Sequence, residues 1–112
     1  MELKRGAIIR VNLNPTQRRE QQGEARPCLV ISHTRFNQAR AGIVIISPIT
    51  STIKPEIKTL LQIPDGFRVK GSIVAEQIRT IDLSQRWWRD IKECLPSAFV
   101  DQVVATLNVI IS

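Results

Sequence analysis

From Ala7 to Leu13 the apolar residues Ile9, Val11 and Leu13 alternate with Arg10 and Asn12, the two-residue period of a half-buried strand, and Asn14-Pro15-Thr16 ends it. Pro27 to Ser32 and Ile43 to Ser47 are short, nearly continuous runs rich in valine and isoleucine. They predict two strands buried on both faces, at the centre of the core. Ile57 to Ile63 predicts another strand, stopped by Pro64-Asp65-Gly66, and Ser72 to Asp82 predicts one long bent strand or two short ones. Pro96 stands where a helix would begin, and Phe99, Val100, Val103, Val104, Leu107, Ile110 and Ile111 recur at three- and four-residue spacing. That stripe predicts a C-terminal amphipathic helix. Of the connections, Gln17 to Ala25 is polar and charged around Gly23 and reads as a long mobile loop able to close over a ligand. His33 to Gly42 reads as an irregular connection pinned by the ring of Phe36.

Roughly five to six strands followed by the main helix make an α+β domain, built on a small, strongly curved sheet or partial barrel. The chain of 112 residues has room for one core, so a single domain over 1–112 is expected. A sheet this small leaves edges and one face incompletely covered, which predicts a homodimer. No stretch approaches the roughly 20 apolar residues of a membrane span. The start, Met1-Glu2-Leu3-Lys4-Arg5, lacks a secretory apolar run, so no membrane association and a cytoplasmic location are expected.

Charge narrows the partner. Sixteen lysines and arginines against ten acidic residues give a net charge of +6, which favours a polyanion. The cations are mostly arginines dispersed over several loops, a distribution suited to phosphate recognition on a folded surface. Cys28 and Cys94 lack metal-ligand spacing and both read as buried structural thiols. His33 is the single histidine, which excludes a histidine-rich zinc site and a two-histidine acid and base pair. No metal or other cofactor is expected. Arg26, just before the apolar run from Cys28 to Ile31, and Thr50, closing Pro48-Ile49-Thr50, are the residues with chemistry to offer. A guanidinium fits a phosphate with a fork of donors, and a threonine hydroxyl both donates and accepts.

Several separated motifs then align in order: Arg5-Gly-Ala-Ile-Ile-Arg-Val-Asn-Leu-Asn-Pro15, Glu20-Gln21, Arg26-Pro-Cys-Leu-Val-Ile-Ser32, Pro48-Ile-Thr50, Glu76-Gln-Ile-Arg-Thr-Ile-Asp82 and Leu107-Asn-Val-Ile-Ile111. Over nearly its whole length the chain resembles the MazF/PemK (Kid) family of toxin endoribonucleases. The resemblance implies an SH3-like barrel core and a homodimer. It also implies the toxin of a bacterial toxin-antitoxin pair, one that cleaves single-stranded RNA at short sequence motifs without a metal and leaves a 2′,3′-cyclic phosphate and a 5′-hydroxyl. A cognate antitoxin would neutralise it. By the same resemblance Arg26 and Thr50 match the active-site arginine and threonine, and Glu20 the acidic residue of the loop after the first strand.

Preorganised donors aimed at the phosphoryl oxygens lower the barrier to in-line attack by a ribose 2′-hydroxyl, the role argued for Arg26 and Thr50. A guanidinium is poorly matched to proton transfer near neutrality, so Arg26 is assigned electrostatic stabilisation. Glu20 or Glu76 is available to accept the 2′-hydroxyl proton. In the Kid branch an arginine lies two residues before the position of Glu76, whereas this chain has Val74 there. Arg18, Arg19, Ser51, Thr52, Lys54 and Gln77 are RNA-binding candidates. For each the alternative is an ordinary solvated surface residue. Arg26 also has a structural alternative, an ion pair with Glu20 or Glu24 that pins the loop until RNA replaces it. Trp87-Trp88 offers a ring for stacking on a base or, preferred here, for burial against the core or a dimer contact. Two other functions compete: a gyrase-directed toxin like CcdB, whose C-terminal tryptophan-glycine-isoleucine is absent from Ile110-Ile111-Ser112, and an RNA-binding module without cleavage.

Overall fold

A computed structural model describes residues 3–14 and 25–112. Among the described residues there are seven strands: β1 (Ala7–Val11), β2 (Arg26–Val30), β3 (Ile43–Thr50), β4 (Leu60–Gln62), β5 (Ser72–Val74), β6 (Arg79–Asp82) and β7 (Trp88–Cys94). A short helix α1 (Thr34–Ala39) follows β2, and α2 (Ser97–Ile111) closes the chain. The sheet runs β4-β5-β3-β2-β1-β7, with β6 also on β3, and every pairing is antiparallel. Its two ends do not meet among the described residues, so the α+β architecture is an open curved sheet rather than a closed barrel.

Both faces of the central strands are covered, as their unbroken apolar runs predict. Ile8, Leu29, Ile49 and Ile73 pack on one face with Phe99, Val100, Val103 and Leu107 of α2. Ile9, Val11, Cys28, Val30, Val44, Ile46, Ile81 and Leu83 form the second cluster. The helix stripe holds through Leu107, whereas Ile110 and Ile111 are exposed.

Strand β3 changes partners along one edge. Ile43–Ile46 pair with β6, and Ile49–Thr50 pair with β5. Pro48, which has no N–H to donate, stands at the changeover and pairs with Cys28 of β2. The bent segment 72–82 is therefore two short strands joined by a 3-10 turn at Ala75–Gln77.

Three expectations need correction. Strand β7 raises the strand count above that read from sequence. Its alternation is broken by a bulge, where Ile8 faces Glu93 while Ile9 faces Asp90, and Lys92 takes a φ of 61° with its amide donating to Asp90 Oδ1. The segment predicted as a strand from Ile57 pairs only from Leu60, because Ile57 and Lys58 are exposed in the preceding turn. The connection after β2 is pinned by Asn37 rather than by Phe36. Asn37 is wholly buried, donates through Nδ2 to Leu3 O (2.8 Å) and Ser32 O (3.2 Å), and accepts from the Ser32 hydroxyl. His33 serves as the N-cap of α1, its Nδ1 accepting from the Arg35 amide at 3.1 Å.

Candidate active site

Arg26 opens β2 because Pro27 follows it. The proline ring drives the preceding residue into extended backbone, and the strand begins at that point. Thr50 ends β3. The β2–β3 register sets Cys28 opposite Pro48, and carried two residues further it sets Arg26 opposite Thr50. The guanidinium lies over this strand end, with Nη2 donating to Ile49 O at 3.3 Å. The Thr50 hydroxyl oxygen accepts from the Thr52 amide at 3.2 Å, which leaves its hydrogen available to a ligand.

Neighbours across an antiparallel sheet share a face, so the pairings extend this couple into a row. Gln62 of β4 faces Ser72 of β5, Ser72 faces Thr50, and on the far side of Arg26 stand Val11 of β1 and Trp88 of β7. The row descends from exposed Gln62 through buried Ser72 and half-buried Thr50 to exposed Arg26. Trp88 is half-buried against the second apolar cluster, in keeping with the preference for core packing.

Gly71 fixes the height of Thr50 in this row. A Cβ on Gly71 would sit 2.0 Å from Thr50 O, and its φ of +118° lies outside the range side-chain-bearing residues adopt. The absent side chain lets β5 close onto the backbone of Thr50.

Positive charge gathers beside the row. The buried Cys28 thiol stands two residues along β2 from Arg26, and burial pushes its pKa from 9.0 up to about 12 against the pull of Arg26, Arg79 and Arg10. Arg79 stands opposite Ile46 at the start of β6, and Arg10 Nη2 donates to Ala25 O at 2.9 Å. Arg86 donates to Asn12 O at 2.9 Å, and its pKa is lowered by burial and by Arg79, with Asp82 opposing. Arg79 and Ser72 were not among the sequence candidates. The signal for Arg79 was its two-residue spacing from Ile81, which becomes readable only once β6 is registered on β3. For Ser72 it was the alternation with Ile73, which points the two side chains to opposite faces.

The remaining candidates divide. Ser51, Thr52 and Lys54 are exposed in the loop that leaves Thr50. Glu76 and Gln77 are exposed on the 3-10 turn, and Glu76 accepts from the Thr59 hydroxyl rather than touching Arg26 or Thr50. Val74, which replaces the Kid-type arginine, is buried. Glu20, Arg18 and Arg19, with the proposed Arg26 partner Glu24 and the gating loop, lie outside the described residues. Cys28 is buried as expected, but Cys94 is exposed at the end of the edge strand β7.

A family profile described as PemK-like, MazF-like toxin of type II toxin-antitoxin system matches residues 4–111. The chain belongs to this PemK/MazF-like toxin family. It is 34% identical over 88 residues to the endoribonuclease toxin ChpB of Escherichia coli, covering 76% of this chain and 74% of that protein. It is 29% identical to the Escherichia coli endoribonuclease PemK, covering 99% of this chain and 84% of that one. Among solved structures, MazF in a MazE–MazF complex from Deinococcus radiodurans superposes with a TM-score of 0.80 at 21% identity, over 100% of this chain and 97% of that one. A mycobacterial endoribonuclease in complex with its cognate antitoxin gives 0.73 at 19% identity, over 96% and 95% of the two chains. The PemK/MazF-like fold is thus shared from end to end. No helix among the described residues is long and apolar enough to cross a membrane.

Proposed function

We propose that this chain is a sequence-specific endoribonuclease toxin that cuts single-stranded RNA without a metal. It acts as one domain spanning 1–112, a homodimer in the cytoplasm, held inactive by a cognate antitoxin. The observation that carries the chemistry is the opposition of Arg26 and Thr50 across β2 and β3, within a field of further arginines and beside a hydroxyl free to donate. Family membership supplies the reaction class.

In this reading an RNA phosphate lies over the row. The 2′-oxygen of the preceding ribose attacks phosphorus and the bond to the 5′-oxygen breaks, leaving a 2′,3′-cyclic phosphate and a 5′-hydroxyl. One proton leaves the attacking hydroxyl and one joins the departing oxygen. Arg26 and the Thr50 hydroxyl hold the charge that builds on the non-bridging oxygens. Arg26 contributes charge and hydrogen bonds. Glu20, carried over from the family, is the base favoured here, because Glu76 is tied to Thr59. Ser51, Thr52, Lys54 and Gln77 line the strand's path, Arg79 adds a phosphate contact beside them, and Arg18 and Arg19 are further candidates for phosphate binding by their charge. An acidic antitoxin segment is drawn to the same basic surface.

The test is incubation of the purified protein with long single-stranded RNA in EDTA, mapping cut sites and end chemistry beside Arg26→Ala and Thr50→Ala. Discrete cuts with cyclic-phosphate and 5′-hydroxyl ends are expected, reduced by roughly 100-fold or more in each variant. Intact RNA after treatment with folded wild-type protein would overturn the reading in favour of RNA binding alone or a gyrase-directed toxin.

A further inference from the structure

Ser72 is 1% exposed, and its hydroxyl has no hydrogen-bond partner. A buried hydroxyl left unsatisfied ordinarily destabilises the fold, and alanine would fit the same space without that cost. Ser72 is also the direct cross-strand neighbour of Thr50 and shares its face, with Gln62 on its other side. Directly opposed side chains in such a pair have Cβ atoms about 4.5–5.5 Å apart, within reach of a hydroxyl–hydroxyl hydrogen bond after one rotamer change. The Thr50 oxygen has two lone pairs, and the Thr52 amide uses one.

We infer that Ser72 is a positioning residue for Thr50: when RNA occupies the site, the Ser72 hydroxyl donates to the second lone pair of Thr50 Oγ1, and the Thr50 hydrogen is left aimed at a phosphoryl oxygen. With both lone pairs engaged, the Thr50 hydroxyl has one direction left for its proton. The unsatisfied group in the free protein is thus held in reserve for the bound state. This role rests on the reading of Arg26 and Thr50 as the cleavage site.

The experiment compares wild type, Ser72→Ala, Ser72→Thr, Thr50→Val and the double variant Ser72→Ala/Thr50→Val, by thermal unfolding and by single-turnover cleavage of a mapped RNA. Ser72→Ala is expected to melt at or above the wild-type temperature while its cleavage rate falls roughly tenfold with little change in RNA affinity. Ser72→Thr, which keeps the hydroxyl, is expected to recover most of the rate. In the Thr50→Val background Ser72→Ala should change nothing further, since there is no oxygen left to orient. Cleavage by Ser72→Ala within twofold of wild type overturns the inference and leaves the function intact. A rate loss that tracks a lowered melting temperature, or persists beside Thr50→Val, overturns it as well, because it marks an ordinary packing role. A wild-type protein that cuts no RNA removes the function and this inference with it.

Discussion

Replacing Gly71 by alanine tests whether the site depends on how closely β5 sits on β3. The new methyl carbon would stand 2.0 Å from Thr50 O, 2.9 Å from the Thr50 carbonyl carbon and 3.2 Å from Ser51 Cα. Ordinary carbon contacts begin at roughly 3.5 Å, so the strands must part by about 1.5 Å at this point. The backbone conformation, φ +118°, itself costs an alanine about 1–3 kcal/mol. Loosening the Thr50–Ser72 pair and the packing of Ile73 adds about 1–3 kcal/mol. A loss of about 2–6 kcal/mol follows, a large share of the roughly 5–15 kcal/mol that holds a domain together. Gly66 is the control: its φ is +101°, but nothing lies within 4 Å of its added Cβ, so only the conformational cost applies. Melting temperatures at matched protein concentration should fall by roughly 8–24 °C for Gly71→Ala and by roughly 4–12 °C for Gly66→Ala, the Gly71 shift being the larger by the packing cost. Cleavage measured well below both transitions should drop by roughly 100-fold in Gly71→Ala alone, as a displaced Thr50 no longer meets the phosphate. Equal melting shifts in the two variants, or full activity in folded Gly71→Ala, would refute the argument that this glycine sets the position of Thr50.

Arg26→Lys keeps the charge and loses the fork of donors, so cleavage should remain at least roughly 10-fold below wild type while RNA affinity changes little; restored activity would show that charge alone suffices. Arg79→Ala should leave the cut sites unchanged and lower the slope of log affinity against log salt by about 0.7, read from titrations of a non-cleavable RNA at several salt concentrations. Cys94 should react at once with a thiol reagent and Cys28 only on unfolding. Because the Cys28 pKa is raised from 9.0 to about 12, its contribution to stability is whole below pH 9 and is lost as pH climbs through that interval, which urea melts of wild type and Cys28→Ala at pH 8 and pH 10.5 will show. Asn37→Ala strips partners from Leu3 O, Ser32 O and the Ser32 hydroxyl, and should cost about 2–4 kcal/mol by urea unfolding.

The central strands and the closing helix were legible because each pattern matched one environment. Val30 and Ile46 lie in runs buried on both faces, and Phe99, Val103 and Leu107 fall on a single helix stripe. Strand β7 was hidden because the bulge at Ile91 and Lys92 interrupts its alternation, and because an edge strand carries as much charge as a loop. Asn37 was passed over for Phe36, since hydrophobicity is visible in a sequence and a satisfied buried amide is not. Arg26 and Thr50 stood out by their chemistry at the ends of apolar runs, and the motif resemblance then matched them to an active-site pair. Ser72 and Arg79 are placed beside them by pairings between residues 22 to 39 positions apart, which no local pattern encodes.

The order of the strands also bears on when this protein becomes harmful. The row of Gln62, Ser72, Thr50 and Arg26 is drawn from the first two thirds of the chain, yet β1 takes its outer partner from β7 and the core beneath Ile49 and Ile73 is closed by α2. A nascent chain still threaded through the ribosome has neither. The fold therefore predicts that the row is supported only once residues 88–111 have folded, so a chain cut short before β7 should cleave no RNA, which a truncated and a full-length protein assayed side by side will show.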